Sequence, residues 1–488
     1  MRSRLASSLA AAFFALAALP VAAQDDAEPQ PASHGVAEPA PDPGPWNRFG
    51  TRWVTFQPTG AIALDFVRYT QDDTSIVQVG DLTVFEVPEV RAIRAGVLGT
   101  LNFEKPWLFY IAGAYRGFGR GFDREKDSAW GLFDLSLTIP IPKLGRVTLG
   151  KAKEPFSMER IMGGGVQPGI ERAMGTDALT AARNAGIQFK NSFANDRMTW
   201  ASGVFNDWLF NEERLESAST QVIGRLTGLP MDQPGGAGLL HLGLAGRYSN
   251  VKPGVLRFEN SPEVFSSPLF VDTEEFSAEG MTHINLEAYY QKGPFWLGTE
   301  QIYTFVRSPE NGDPLFRSVF AQATWVLNGA SRPYRRQAGI FGALRPRKTV
   351  TDRGAGLFEV GARYSMVDLE DGEIRGGEMS RLNGIANWYL TGGVLASFNY
   401  GLVRLDRKQR RGRLHERLSA PGLPDLLMDW PCPWPARFVP DSGAEDLCSN
   451  AALKDSQFQA VPACLRRNFS PLEALVSWVG GSELSRRG

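Results

Sequence analysis

The sequence predicts an all-β fold, an antiparallel β-barrel that crosses a membrane, and three observations support this prediction. Residues 1–23 have the pattern of an export signal, apolar side chains alternate with small or polar ones from Phe56 to about Leu405, and the alternating segments are about ten residues long. A tilted membrane strand needs about 9 to 11 residues, whereas strands of soluble proteins have about 5 to 6. A soluble β-sandwich or propeller is the alternative, with its apolar faces meeting in a core.

The N-terminal segment indicates export from the cytoplasm. Arg2 and Arg4 form a basic start, an apolar stretch follows, and Val21-Ala22-Ala23 fits the small-residue pattern of a cleavage site. We therefore expect a signal peptide over residues 1–23. Residues 24–50 are rich in proline and acidic side chains, a composition that predicts a disordered linker.

Composition excludes two other classes of protein. The chain has 488 residues and a formal net charge of -1, which argues against a nucleic-acid partner. Mean hydropathy is -0.21, and no stretch after residue 23 approaches the roughly 18 consecutive apolar residues of a membrane-spanning helix. A helical membrane protein with several spans is therefore not expected.

Alternation of apolar and polar residues identifies the individual strands. Ile284, Leu286 and Tyr290, for example, alternate with His283 and Glu287, so one strand face is apolar and the other is polar. In a membrane barrel the apolar faces contact lipid and the polar faces line the lumen. Fifteen strands are predicted in this way, over residues 56–69, 89–101, 107–116, 129–139, 146–151, 184–191, 198–206, 221–227, 238–249, 281–291, 295–307, 317–328, 356–368, 380–389 and 394–405.

Connections between these strands alternate between long and short, which is typical of bacterial outer-membrane barrels with short periplasmic turns and long outer loops. The segment 329–355 is an exception, because it is long but lies where a short turn is expected. Such barrels have an even number of strands when both chain ends are periplasmic. One strand is therefore missing from the fifteen.

The barrel is expected to cover residues 51–407, and residues 408–488 form an atypical tail outside it. The tail lacks alternation and contains all three cysteines of the chain, Cys432, Cys448 and Cys464. One hypothesis is that a change of reading frame replaced the last strand. A genuine extra domain is the alternative.

No catalytic or metal-binding motif is recognisable, so we expect neither an enzyme nor a bound cofactor. The segment Gly145–Ala152 nearly matches a phosphate-binding P-loop, but Ala152 lacks the required hydroxyl and the segment lies in a strand. His241 and His283 fall on polar strand faces without a partner motif. Solvated lumen histidines are the simpler interpretation.

The segment from about Val90 to Arg407 resembles the phosphate-selective porin O and P family of outer-membrane channels. Each motif that carries the resemblance is weak evidence alone, but the order and spacing of all of them together are strong evidence. They are Arg91-Ala-Ile-Arg94-Ala-Gly-Val-Leu-Gly99, Leu149-Gly-Lys-Ala-Lys-Glu-Pro-Phe-Ser-Met-Glu159, Glu171-Arg172-Ala173, Arg183-Asn-Ala-Gly-Ile-Gln188, Gly203-Val-Phe-Asn206, Val319-Phe-Ala-Gln-Ala-Thr-Trp325, Asn387-Trp-Tyr-Leu390 and Phe398-Asn-Tyr400.

This resemblance implies a trimeric barrel of 16 strands, whose third loop folds inward to a constriction lined by basic residues. By motif, Arg91, Arg160, Arg172 and Asp134 correspond to pore-lining positions of the family. The same arginines could instead hold the inward loop to the wall. Basic positions of phosphate-selective members are here occupied by Ala61, Ala92, Thr148 and Glu259.

The expected function is therefore passive diffusion of small anions, phosphate or related oxyanions, through an outer-membrane porin. Its expected partners are these anions, the outer-membrane lipid and two further copies of the chain. A weakly selective porin for other small solutes is the alternative, and a barrel-based surface enzyme or an adhesin is a more distant one.

Overall fold

The structure is a computed structural model. It describes residues 48–115, 130–207, 209, 218–233, 238–252, 254–407, 459–462 and 477–479. The predicted signal peptide and nearly all of the predicted linker lie outside these residues, as does most of the tail.

Fifteen long strands form one antiparallel sheet in which consecutive strands pair, as the sequence predicts for a barrel wall. A two-residue strand, β1 (Phe49–Gly50), precedes them and pairs with the first. The wall strands are β2 (Val54–Asp65) with its continuation β3 (Val67–Thr70), β4 (Glu89–Leu101), β5 (Trp107–Tyr115), β6 (Trp130–Ile141), β7 (Gly145–Ala152), β8 (Asn184–Phe193), β9 (Met198–Asn206), β10 (Thr220–Gln233), β11 (Gly238–Asn250), β16 (Gly280–Lys292), β17 (Phe295–Arg307), β18 (Leu315–Val326), β21 (Leu357–Asp371), β22 (Ile374–Tyr389) and β23 (Val394–Asp406).

Shorter elements lie in the connections. Two small hairpins, β12 (Val255–Leu256) with β15 (Phe276–Ser277) and β13 (Glu259–Asn260) with β14 (Val271–Asp272), occupy the connection between β11 and β16. A third, β19 (Tyr334–Arg335) with β20 (Ile340–Phe341), lies between β18 and β21. The helices are Asp73–Val79, Met158–Ile161 and Met174–Leu179, with 3-10 turns at Leu82–Phe85, Pro309–Asn311, Arg336–Ala338 and Val350–Asp352. None of the helices in the described ranges is long and apolar enough to cross a membrane.

All fifteen predicted strands are present, but β21 and β22 are longer than predicted. They reach Asp371 and Ile374, so the connection expected over 369–379 is a tight turn at Gly372. The sequence obscured these strand ends because Glu370, Asp371 and Glu373 are all polar.

Two short strands from the tail occupy the position between the last and first wall strands. β24 (Gln459–Pro462) pairs with β23 and with β3, and β25 (Ser477–Val479) pairs with β23 and with β2. Residues 408–488 were expected to contribute no strand, and the wall pattern alone could not identify these three- and four-residue pieces. Among the described residues, the seam is paired only along these pieces.

The predicted faces are confirmed along most strands. On β16, His283, Asn285 and Glu287 are buried on the inner face, while Leu286 is 43% exposed on the outer face. Aromatic residues flank the outer surface, where the ring of Phe358 stacks on that of Trp388. The outer face is therefore apolar, as contact with lipid requires.

Alternation predicts that Phe133 shares the outer, apolar face with Leu135 and Leu137, but Phe133 faces inward. A bulge shifts the register of β5 and β6, so that Ala112 opposes Asp134 while Gly113 opposes Leu132. The extra residue in β6 is Phe133, which is 5% exposed. A bulge adds one residue to one strand, so Phe133 and Asp134 are both buried and the alternation is shifted by one residue between Leu132 and Leu135, which are exposed on the outer face.

Candidate functional site

The connection between β7 and β8, residues 153–183, folds into the lumen, as the family resemblance implies. We call it the inward loop. Its first helix begins at Met158 and is capped by Ser157, whose hydroxyl accepts a hydrogen bond from the Arg160 backbone N–H. Its second helix lies directly against β18. The approach is so close that a Cβ atom at Gly175 would lie 1.8 Å from Ser318 Oγ. Only glycine permits this approach.

Polar side chains of the wall donate hydrogen bonds to backbone carbonyls of the inward loop. These bonds hold a segment that has little regular secondary structure and would otherwise have unsatisfied buried carbonyls. They join Asn285 Nδ2 to Phe156 O (3.2 Å), Asn387 Nδ2 to Pro168 O (2.8 Å), Arg91 Nη1 to Ile170 O (2.6 Å) and Arg363 Nη2 to Glu171 O (2.8 Å).

Glu159 is the central anchor of the inward loop. Its carboxylate accepts hydrogen bonds from the Ala173 backbone N–H and from Thr176 Oγ1, and it pairs with Arg363. Burial raises the pKa of this carboxyl group, although the charge of Arg363 opposes the rise. Arg363 also binds Glu263 from the connection between β11 and β16, so it ties two loops together.

The connection between β18 and β21, residues 327–356, contains the segment 329–355 that the sequence marked as an exception, and it enters the lumen from the opposite, short-turn end. We call it the insert. Its residues Ile340 and Phe341 are buried against Tyr289 and Trp296 of the wall and belong to the same apolar cluster as Met158 of the inward loop. The insert is long because it provides part of a core inside the barrel.

Arg332 joins the insert to both the inward loop and the wall. Its guanidinium donates to Val166 O and to Glu359 Oε1, each at 2.5 Å, and lies over the Trp296 ring. The side chains of Arg332 and Glu359 are 1% and 0% exposed. The two inward segments therefore contact each other through the hydrogen bond from Arg332 to Val166 O, and the fully buried ion pair joins the insert to the wall.

Basic side chains gather on the opposite side of the lumen, beside β4, β6 and the start of β8. We call Arg91, Arg94, Arg172 and Arg183 the arginine cluster, because each lies within electrostatic reach of Arg94. Arg91 pairs with Asp65 (3.1 Å) and Glu171 (3.2 Å), and Arg183 pairs with Asp134 (2.9 Å). Of these seven side chains, four are cationic and three are anionic.

The inward Phe133 ring organises part of this cluster. The Cζ atom of Arg183 lies 3.5 Å from the ring centroid, and that of Arg94 lies 4.4 Å from it. Such stacking is attractive because the ring face is electron-rich. Within the described ranges Arg94 makes no hydrogen bond and no ion pair, so its N–H groups have no protein acceptor there.

The four predicted site residues have different environments. Arg91 braces the inward loop, and Asp134 is bound by Arg183. Arg160 donates to Thr176 O and Thr180 Oγ1 and pairs with Asp177 at 3.0 Å, so it is enclosed within the loop. Burial lowers its pKa to about 10, although Asp177 opposes the change.

Arg172 is positioned by long contacts to carbonyls of its own loop, at 3.4 Å from Glu159 O and 3.5 Å from Met162 O. The sequence prediction did not include Arg94 and Arg183, which also belong to the arginine cluster. Both stand inside motifs that carried the resemblance, at the fourth position of Arg91-Ala-Ile-Arg94 and at the first of Arg183-Asn-Ala-Gly-Ile-Gln188. Lumen-facing arginines inside family motifs would have been a usable signal.

The two wall histidines are engaged in the protein interior. His283 lies 2.9 Å from Thr304 Oγ1, and His241 lies 2.7 Å from the hydroxyl of Tyr334. Thr304 and His241 are fully buried, so a substrate has no access to either pair. No group of three or more metal-ligating side chains occurs in the part of the chain that the structure describes.

Comparison with known proteins gives a family match over most of the chain. The family model described as phosphate-selective porin O and P matches residues 56–418. A protein of Caulobacter vibrioides, described as uncharacterized, is 28% identical over 334 residues, which cover 64% of this chain and 62% of that protein. The match thus spans less than two thirds of that relative.

Solved structures with similar folds include outer-membrane proteins. OmpT of Vibrio cholerae, folded in vitro, is 10% identical and covers 88% of this chain and 99% of that chain, with a TM-score of 0.46. An anion-selective porin from Comamonas acidovorans is 14% identical and covers 72% of this chain and 90% of that chain, with a TM-score of 0.44.

Proposed function

Because the chain belongs to the phosphate-selective porin O and P family, we propose that this outer-membrane porin admits small anions, phosphate or related oxyanions, through its arginine cluster. The long-loop end then faces the outside of the cell and the short-turn end faces the periplasm. The observation that carries the proposal is Arg94, a lumen guanidinium without a protein acceptor among the described residues.

A guanidinium group without a protein acceptor can donate to a passing oxyanion. Conduction needs binding that is strong enough to replace part of the hydration shell of the ion and weak enough to release it. Guanidinium suits this task because its planar donors match two oxygens of phosphate or carboxylate. In this proposal Arg94 contacts the anion, and Arg91, Arg172 and Asp134 set the charge and shape around it.

Arg160 has a different role in this proposal. Its donors are committed to Thr176, Thr180 and Asp177 within the inward loop. It stabilises the loop that forms the constriction and does not contact the solute. The expected homotrimer, the surrounding outer-membrane lipid and export through the signal peptide complete the proposal.

Selectivity is tested by replacing Arg94 with Gln in the full-length protein and measuring single channels in planar bilayers. One charge at about 4 Å in a water-like medium contributes about 1 kcal/mol, so the ratio of anion to cation permeability should fall about fivefold. The matched control is Arg347→Gln, which removes an exposed arginine of the insert. It should leave the ratio unchanged.

Two results would overturn the proposal. A reversal potential that shows cation preference in the unmodified protein would exclude an anion channel. Conductance in chloride that stays constant when millimolar phosphate is added would exclude phosphate as a solute.

A weakly selective porin for other small solutes is the second candidate. It is favoured by the carboxylates of Asp65, Glu171 and Asp134, which neutralise much of the arginine cluster. In that case Arg94→Gln changes the permeability ratio little, and uncharged solutes pass as readily as anions of equal size.

A further inference from the structure

Arg94 is held in a different way from the other three members of the arginine cluster. Arg91 pairs with two carboxylates and Arg183 with one, while Arg172 contacts carbonyls of its own loop. Arg94 has neither kind of partner among the described residues. Its guanidinium lies over the ring of Phe133 instead, with 4.4 Å between Cζ and the ring centroid.

A contact with a ring face leaves the N–H groups of a guanidinium available. The attraction acts between the positive charge and the electron-rich face of the ring, so it uses no hydrogen-bond donor. A carboxylate in the same place would accept two of the N–H groups and offset the charge. Phe133 therefore holds Arg94 while the charge and the donors of the guanidinium stay available to the lumen.

A carboxylate that competes for Arg94 lies beside the ring. Asp134 follows Phe133 in β6, and the bulge places both side chains on the inner face. Asp134 and Arg94 both act electrostatically on the hydroxyl group of Tyr110, so they share one part of the lumen. Arg183 donates to Asp134 at 2.9 Å, and its Cζ atom lies 3.5 Å from the centroid of the Phe133 ring. One ring thus supports both this ion pair and the separate guanidinium of Arg94.

We infer that Phe133 is a positioning residue of the channel, whose ring keeps Arg94 apart from Asp134 and so sets how strongly the arginine cluster prefers anions. Without the ring, Arg94 loses the attraction that holds it and competes with Arg183 for Asp134. Its N–H groups then bind a carboxylate of the protein rather than a passing ion. The inference rests on the proposed function, because ion preference is the property that Phe133 controls.

Reversal potentials in bilayers with a salt gradient test the inference on the full-length protein. Phe133→Leu removes the ring and should lower the ratio of anion to cation permeability about twofold to fivefold, the factor by which such a contact favours the stacked position. Phe133→Tyr keeps a ring face and should retain the ratio. Phe133→Met fills a similar volume without a ring and should match Phe133→Leu, so the result does not depend on how well leucine packs.

A double variant shows whether Phe133 acts through Arg94. In the Arg94→Gln background, Phe133→Leu should cause no further fall in the ratio, because the guanidinium that the ring positions is already absent. The matched control is Phe109→Leu. Phe109 lies on β5 of the same hairpin and shares the outer face with Ile111, so this change should leave the ratio as it is.

Three results would overturn the inference. Phe133→Leu and Phe133→Met could both leave the ratio unchanged, Phe133→Tyr could lower it as far as they do, or Phe133→Leu could have its full effect in the Arg94→Gln background. The last result would assign the ring a general role in packing. Cation preference in the unmodified protein would instead defeat the proposed function. The double variant remains informative in that case, because the charge of Arg94 alters the ratio whichever ion is preferred.

Discussion

The buried pair between Arg332 and Glu359 connects the insert, the inward loop and the wall, so its removal should loosen both inward segments together. Replacing Arg332 with Ala leaves the Glu359 carboxylate buried with Asn387 and Tyr389 as its remaining partners. Breaking one side of a buried ion pair costs about 3 to 5 kcal/mol. The lost bond to Val166 O is included in that range.

A double variant separates loss of charge pairing from loss of contact. In Arg332→Met with Glu359→Gln no charge remains buried, the methionine can pack on Trp296, and the glutamine still accepts a hydrogen bond from Tyr389. We expect it to recover at least about 2 kcal/mol relative to Arg332→Ala. Replacing Arg336 of the same insert, whose half-exposed guanidinium pairs with Asp232 of β10, should cost about 1 kcal/mol or less.

The assay is urea unfolding in lipid vesicles, followed by tryptophan fluorescence, together with single-channel conductance in bilayers. Arg332→Ala should show a larger conductance with more frequent changes of level, because the two inward segments are no longer joined. The reasoning is refuted if Arg332→Ala conducts as the unmodified protein does, or if the double variant is no more stable than the single one.

Two further predictions concern an outer loop and the insert. Burial alone would raise the pKa of Asp272, but hydrogen bonds from Arg257 lower it overall. The ionised carboxylate therefore stabilises the folded protein above about pH 4, and this stabilisation is lost as the pH falls through the lowered pKa. Asp272→Asn should accordingly be less stable than the unmodified protein above about pH 4 and equally stable at lower pH. Thermal unfolding of both proteins between pH 2 and 7 measures this difference, and a difference that grows toward acid pH would contradict it. Gly339 has φ +61, and a Cβ atom there would lie 2.6 Å from Thr199 Oγ1, so Gly339→Ala should cost about 2 kcal/mol in urea unfolding. Gly392→Ala, in an open turn, should cost little, and equal losses would show that neither the backbone angle nor the contact matters.

The wall could be predicted from the sequence because each strand carries its own evidence. The outward position of Leu286 and the inward position of His283 do not depend on the sequences of the other strands. Alternation within ten residues is therefore sufficient to predict a strand and its two faces. Phe133 shows the limit of this reasoning, since alternation with Leu135 assigned it to the wrong face and only the pairing of β5 with β6 defines the bulge.

The interior could not be predicted in the same way. Ile340 and Phe341 of the insert pack against Tyr289 and Trp296, which are more than forty residues away in the sequence, as the numbering shows. Nothing within residues 329–355 indicates those partners. Arg91 and Arg160 were both predicted from family motifs, but that reasoning could not tell that Arg160 is enclosed by Asp177 and Thr176.

The apolar cluster that the insert and the inward loop build inside the barrel has an electrical consequence. Apolar side chains polarise weakly and do not solvate an ion. A voltage across the outer membrane therefore drives little ion movement through the half of the barrel that this cluster fills. In the proposed channel, field lines concentrate in the part of the lumen beside Arg94 and Arg183. In the proposed channel, the fixed charges of these arginines therefore influence a passing ion more strongly than they would in a wide aqueous pore.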